Sequence, residues 1–265
     1  MRQPVDEGLK YMAYELRSLE RALEILGYLA TVEQATLSEV CDVCDINSTT
    51  CLRTMRVMER NGFVRRSPDG RHYLLGLRLA ELGTLALGRI DIVSLIRPLV
   101  RGLTEEFRVT AHIGLLRDGM ITVIDKIDSP DGFVRYSLLG TRMPMHCSGM
   151  GKAILALFWP DRLAEAGVKP PLTRFTRDTI TDIDWLAADV ARCAERGFSI
   201  EQEEWQPGYG CTGAAFVFNG DYYAVSLSGV VVPASELEQR GRRLSMAMRE
   251  FLQKQGSSLS QTIYS

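Results

Sequence analysis

Histidine is scarce in this chain: three in 265 residues, at positions 72, 112 and 146. None stands at a metal-ligand spacing from another, so no resident metal or cofactor is expected. Six cysteines, at 41, 44, 51, 147, 193 and 211, are too few and too scattered for a disulfide framework and read as reduced thiols. No apolar run approaches the ~18–20 residues of a membrane span. The N-terminal segment MRQPVDEGLKYMAYELRSLE carries Asp6 and Glu7 and no continuous apolar core, so it is no secretory signal. A cytoplasmic protein without a membrane partner is expected. Excess positive charge is missing as well. With 31 Lys+Arg against 33 Asp+Glu the net charge is −2, so a nucleic-acid role would need a local basic patch. What is present is ordinary for a folded chain: 46% hydrophobic and 24% charged residues, which excludes extensive disorder.

The pattern changes near residue 90. In the first part, Ser18 reads as an N-cap, followed by Leu19, Ala22, Leu23, Leu26 and Leu29 at helical spacing. After a polar break at 31–34, Leu37, Val40 and Cys41 suggest a second short helix that starts near Thr36. A turn at Asp45–Asn47 leads to a third helix, about 48–60, capped by Asn47 or Ser48. Asn61-Gly62 ends it, glycine taking the left-handed conformation at little cost. Two β-prone runs, 63–66 and 71–75, flank Ser67-Pro68-Asp69-Gly70 and predict a hairpin. This is the element order of a winged helix-turn-helix.

The third helix separates by angle. At ~100° per residue Cys51, Met55 and Met58 form one apolar stripe, and Thr49, Leu52, Arg53, Arg56 and Arg60 fall opposite. Between Asn47 and His72 six arginines stand against two acids, a local charge of +4. A duplex backbone favours such a patch through counterion release. The candidate DNA-binding residues are Ser48, Thr49, Thr50, Arg53, Arg56 and Arg60 on the helix, for the major groove, and Arg65, Arg66 and Arg71 on the hairpin, for backbone or minor-groove contact.

The second part mixes strand and helix patterns. Helices are expected at 91–108, 150–158, 182–195 and 233–252. Strands are expected at 110–116, 121–127, 133–138, 199–202, 214–218 and 222–228, with turns at Arg117-Asp118-Gly119 and Asn219-Gly220. This suits an antiparallel sheet with flanking helices, an α+β domain. Ser148, Gly149, Met150 and Gly151 precede or open a helix, where backbone N–H groups and the helix dipole attract an anion such as a carboxylate. Ser226 and Ser228 share one face of a strand and offer hydroxyls. Met143, Met145 and Met150 supply a pliable apolar wall.

Several segments resemble IclR-family transcriptional regulators. Ser18-Leu19-Glu20-Arg21-Ala22-Leu23-Glu24-Ile25-Leu26 is similar to their first helix. Thr49-Thr50, Arg53, Met58-Glu59 and Gly62-Phe63-Val64 resemble their recognition-helix pattern. Tyr73-Leu74-Leu75-Gly76 with the amphipathic 77–87 resembles the end of the wing and the linker helix. Met145-His146-Cys147-Ser148-Gly149-Met150-Gly151-Lys152-Ala153, the 197–211 segment and Ala224-Val225-Ser226-Leu227-Ser228-Gly229 resemble the effector-domain signatures. Leu52 and Asp45 depart from the family, which often has histidine and a turn glycine there. The resemblance implies a winged helix-turn-helix at 18–76, a linker helix at 77–90, a GAF-like effector-binding and oligomerisation domain at 91–254 and a frayed tail at 255–265. It also implies a homodimer or tetramer on palindromic operator DNA, most often a repressor, controlled by a small organic acid. By resemblance Glu201, Cys211, Ser226 and Ser228 join Gly149 and Met150 as effector-binding residues; Glu201 stands where aspartate is usual.

Other readings are weaker. Gly149-Met150-Gly151-Lys152-Ala153 lacks the first glycine and the Ser/Thr of a phosphate loop. Cys41 and Cys44 lack the second ligand pair that zinc requires. A redox-sensing regulator acting through Cys211 and Cys147, or a GAF-type thiol reductase, are the alternatives. The attached winged helix argues against the enzyme, so no catalytic residues are assigned.

Overall fold

The computed structural model describes residues 6–88, 90–132, 138–160 and 163–254, with side chains from residue 17 onward save those of 163 and 164. The chain divides into two compact units between Arg89 and Ile90.

In the first unit, helix α1 (Asp6–Leu29) is followed by a two-residue strand β1 (Ala35–Thr36), α2 (Leu37–Val43), α3 (Ser48–Arg60), the hairpin β2 (Val64–Arg66) and β3 (His72–Leu75), and α4 (Leu77–Leu87). β3 sits between β1 and β2, antiparallel to both. This is the expected winged helix-turn-helix. One expectation fails: Ser18 is not a cap but lies exposed in the interior of α1. The apolar spacing of Leu9, Met12, Leu16 and Leu19 carries the helical pattern upstream, and a serine in mid-helix costs little. The buried face of α1 is also turned from the one expected. Ile25 and Leu29 are buried, while Leu19 and Leu23 are 58% and 59% exposed.

Local signals place the other elements. Thr36 and Glu39 form a reciprocal capping box on α2, and the Thr50 N–H donates to the Asn47 side chain at 2.9 Å at the start of α3. Between them α2 ends in a Schellman turn: Asp45 has φ 48° and the Ile46 N–H donates to the Cys41 carbonyl at 3.0 Å. Ile46 then drops into a core of Ile25, Leu29, Val40, Cys51, Met55, Met58, Val64 and Tyr73. The predicted apolar stripe of α3 is the face that is buried.

The second unit runs α5 (Asp91–Phe107), β4 (Thr110–Arg117), β5 (Met120–Ile127), β6 (Arg142–Pro144), α6 (Gly149–Leu157), a 3-10 turn (Leu163–Ala166), α7 (Ile183–Arg196), β7 (Ser199–Gln202), β8 (Tyr209–Phe218), β9 (Asp221–Val230) and α8 (Ala234–Lys254). The six strands form one antiparallel sheet in the order β6-β5-β4-β9-β8-β7. The architecture is α+β, as expected. The strand expected at 133–138 and the tail at 255–265 fall outside the described residues, Leu138 apart. β1 and β6 were not expected; each is two or three residues long and exists only through its partner. β8 begins at Tyr209, five residues before the expected start.

Alternation along β8 sorts the faces. Cβ atoms placed at Gly149 and Gly213 would touch Cys211 and Gly149, so Cys211 and Gly213 face α6. Gly210 and Thr212 face α8, against Leu237 and Gly241. α6 and α7 close their side over a core that includes Met150, Ile154, Leu155, Leu186, Val190, Ile121, Ala215 and Ala224.

Left-handed backbone costs a β-branched residue about 1–2 kcal/mol, and glycine almost nothing. Asp45→Val is therefore expected to lower stability by about that amount, and Asp45→Gly to lower it not at all. Chemical denaturation of the two variants checks this.

Candidate functional site

In the first unit, α3 holds its buried stripe against the core and turns Ser48, Thr49, Arg53, Arg56 and Arg60 to solvent, with Thr50 half-buried. Arg65 and Arg71 extend from the hairpin and are also exposed. These five arginines have no ion-pair partner among the described residues. Arg66 differs. Its Nε donates to Glu59 at 3.2 Å, an Nη donates to the Gly70 carbonyl at 3.2 Å, and its guanidinium lies 4.8 Å from the Tyr73 ring centre. Arg66 thus ties the hairpin to α3 and neutralises the helix's one acid. The face is left with uncompensated arginines. Arg66 is a brace in this structure, with its side chain still exposed.

The second unit contains an enclosed cavity of about 20 Å³ at the N-terminus of α6, roughly the space of one water. Gly149, Met150, Glu201, Cys211, Ser226 and Ser228 all line it. Strand register explains why. Glu201 pairs with Cys211, Cys211 with Ser228, Gly213 with Ser226, and Ser226 with His112. Directly opposed residues share a face, so residues far apart in sequence form one row beneath α6. His112, Trp205, Gln206 and Tyr209 also line it and were not expected from sequence. His112 left a signal, being a polar residue between Ala111 and Ile113 in an apolar strand. Met143 and Met150 form part of the wall, whereas Met145 lies in the core and not in the lining.

The opening of α6 is tightly committed. The Ser148 hydroxyl donates to the Pro144 carbonyl at 2.6 Å and accepts from the Gly151 N–H at 3.1 Å. The Gly149 N–H donates to the Cys211 sulfur, and the Gly149 carbonyl accepts from the Ser199 hydroxyl at 2.6 Å. Met150 is left as the first-turn N–H without a hydrogen-bond partner among the described residues. Glu201 is committed too. It accepts from the N–H groups of Glu204 and Trp205, at 2.7 and 3.2 Å, and from the Cys211 thiol at 3.3 Å. Its carboxylate fixes the 203–205 turn, and burial raises its pKa. The hydroxyls of Ser226 and Ser228 are 3.5 Å apart, and Ser228 is 3.5 Å from His112 Nδ1. Burial, aided by Lys126, lowers the His112 pKa to about 4, so its ring is neutral at pH 7.

The thiols are placed for packing. All six cysteines are free, and burial pushes Cys147, Cys193 and Cys211 above the ordinary thiol range, away from the nucleophilic thiolate.

Beside the cavity lies a buried ion cluster that the sequence did not announce. Lys152 Nζ donates to Asp189 at 2.7 Å and to Glu204 at 2.5 Å, and Asp189 also accepts from Arg192 at 2.9 Å. Burial opposes the Lys152 charge, but the two carboxylates outweigh it and hold the ammonium. Burial and the neighbouring acids push Glu204 up to about 7. Glu204 also lies within the turn that Glu201 holds, so the cluster anchors the segment carrying Trp205 over the cavity.

A winged helix with an arginine face, joined to a sensing unit with a cavity at a helix N-terminus, defines a ligand-responsive DNA-binding regulator. The chain belongs to the IclR family. The IclR helix-turn-helix domain matches residues 18–68, and the bacterial transcriptional regulator IclR C-terminal domain matches 84–260. Among relatives, the HTH-type transcriptional regulator BhcR of Paracoccus denitrificans is 30% identical over 87% of this chain and 81% of its own. XynR of Escherichia coli is 29% identical over 94% and 97%. The Thermotoga maritima IclR structure covers 91% of this chain and 100% of its own, with TM-score 0.69 and 26% identity. An IclR homolog from Microbacterium hydrocarbonoxydans, solved with 4-hydroxybenzoate, shares the fold at TM-score 0.73 and 20% identity, over 89% of this chain and 99% of its own. The protein is therefore a DNA-binding transcriptional regulator with an effector-binding C-terminal domain, and not an enzyme. No helix among the described residues is long and apolar enough to cross a membrane.

The ion cluster yields a test. An acid whose folded pKa lies above its unfolded value holds a proton in the native state that the unfolded chain has lost, so stability falls as pH rises through that window. For Glu204 the window is about 4.5 to 7. His112, with its lowered pKa, acts in the opposite sense. The comparison is therefore between wild type and Glu204→Gln: wild type is expected to lose stability relative to the variant between pH 5 and 7 in urea denaturation.

Proposed function

We propose that this protein is a homo-oligomeric repressor that binds palindromic operator DNA and changes its operator affinity when a small organic acid occupies the cavity under α6. Residues 18–76 bind DNA, 77–90 link, and 91–254 sense the acid and assemble the oligomer. Ser48, Thr49, Thr50, Arg53, Arg56 and Arg60 meet the major groove, and Arg65 and Arg71 the backbone beside it. Met150 N–H, Ser226 and Ser228 supply polar contacts to the acid, while Gly149, Glu201 and Cys211 shape the pocket. Relatives named as repressors, among them the IclR and AllR proteins, support the sign of control.

The observation that carries this reading is the cationic face of α3 and the hairpin in a chain of net charge −2. A solvated charged face of an ordinary helical domain would carry acids as well; here the single helix acid is bound by Arg66. The small closed cavity supports a ligand of few atoms, whose entry must displace lining side chains such as Met150 or Trp205. The acid then changes how two winged helices meet half-sites spaced by the DNA helical repeat.

The test is titration of an operator selected from a randomised duplex pool. Arg53→Ala is expected to weaken binding by about 1–3 kcal/mol and to relax preference at one position. Arg65→Ala is expected to weaken all duplexes alike and to reduce the salt slope by about 0.9. Wild-type protein that enriches no sequence from the pool would refute the reading.

A further inference from the structure

The cavity poses a charge problem for any carboxylate that enters it. No arginine or lysine is among its described lining residues, and Glu201 contributes an acid. The open Met150 N–H and two hydroxyls are neutral donors. An anion moved into a buried site needs a compensating charge. One lining side chain can gain one: His112, 3% exposed, its Nδ1 3.5 Å from the Ser228 hydroxyl and its backbone directly opposite Ser226.

We propose that His112 is the effector-binding residue that supplies this charge, the carboxylate entering together with a proton that the imidazole takes up from solvent. The inference rests on the reading of the cavity as the effector pocket. The ring nitrogen without a hydrogen gains an N–H bond, and no bond of the acid is made or broken. The class of ligand follows: a small organic acid whose entry displaces lining side chains and sets its carboxylate beside Ser228 and His112.

The groups around His112 fit this role. From β5, Lys126 stands directly across the strand, its ammonium 2.8 Å from the Asp128 carboxylate. Lys126 opposes protonation and Asp128 favours it. β9 presents Ser226 and Ser228, β8 Cys211 and β7 Glu201. α6 presents its backbone N-terminus and Met150, and the loop between β7 and β8 presents Trp205 and Gln206. Glu201 is the rival proton carrier: three donors favour its charged form, but burial outweighs them and raises its pKa, so the variants below separate it from His112. A carboxylate about 4 Å from the ring favours imidazolium about a thousandfold at an effective dielectric near 20. That is enough to bring the group from about 4 in the empty pocket to near neutrality in the complex.

Binding then takes up a proton between those two values, so affinity falls as pH rises through them and levels off above. The experiment is calorimetric titration of the full-length protein with pyruvate and with 4-hydroxybenzoate from pH 5 to 8. It is accompanied by the histidine ring carbon spectrum of the wild type with and without each acid. Up to tenfold weaker binding per pH unit between 5 and 7 is expected, lost in His112→Gln, with the His112 ring signal moving to its imidazolium position in the complex. Affinity independent of pH, with a neutral His112 in the complex, would overturn the proposal and leave the pocket in place. So would a pH dependence kept in His112→Gln and lost in Glu201→Gln. If neither acid binds at any pH, the reading of the cavity itself is overturned and the inference goes with it. The wild-type spectrum decides the matter even if a variant fails to fold.

Discussion

The seating of the α6 N-terminus on the sheet is the contact from which the sensing unit is built. It is possible because Gly149 and Gly213 meet without side chains: a Cβ on Gly213 would lie 2.7 Å from the Gly149 carbonyl oxygen, and one on Gly149 2.5 Å from the Cys211 sulfur. Ser199 and Ser148 then lock the turn by hydrogen bonds. With the helix so close, its dipole end faces the row of Cys211, Ser226, Ser228 and His112 across a space of one water. The same seating carries Lys152 into the interior, where only paired carboxylates make a buried ammonium tolerable.

The first unit solves a different problem, presenting charge without losing it to neighbours. α3 buries Cys51, Met55 and Met58, which fixes its rotation, and its arginines must then face outward. Glu59 would have offset them but is taken by Arg66, which also lies over Tyr73. One side chain thereby stiffens the wing against the helix and keeps the remaining face cationic. A chain of net negative charge can in this way hold a polyanion at one place and repel it elsewhere.

How much of this could be read from sequence depended on how far apart the interacting residues are. The start of α2 near Thr36, the cap of α3, the stripe on α3 and both tight turns rest on residues within a few positions of one another, and they read correctly. The start of α1 did not, because a serine at a good capping position was overridden by an apolar pattern running past it. β1 and β6 are too short to announce themselves. The six candidate effector residues do line one cavity, yet two of their roles changed. Glu201 is spent on backbone N–H groups, and the Gly149 N–H on a sulfur. His112 escaped because its place is set by the pairing of β4 with β9, over a hundred residues later. The Lys152 cluster likewise joins residues 37 and 52 positions apart, and no local spacing marks it.

In the proposed function, an acid under α6 governs the grip of the arginine face on DNA. The most direct measurement is operator affinity with and without saturating small carboxylic acids, for wild type and for Ser228→Ala, which removes the hydroxyl and adds no atom to the pocket. Coupling of the usual strength gives about a 5- to 150-fold change in wild type. A change of that order is expected for at least one acid, largely lost in Ser228→Ala while acid-free operator affinity is retained. An acid response undiminished in the variant would contradict it.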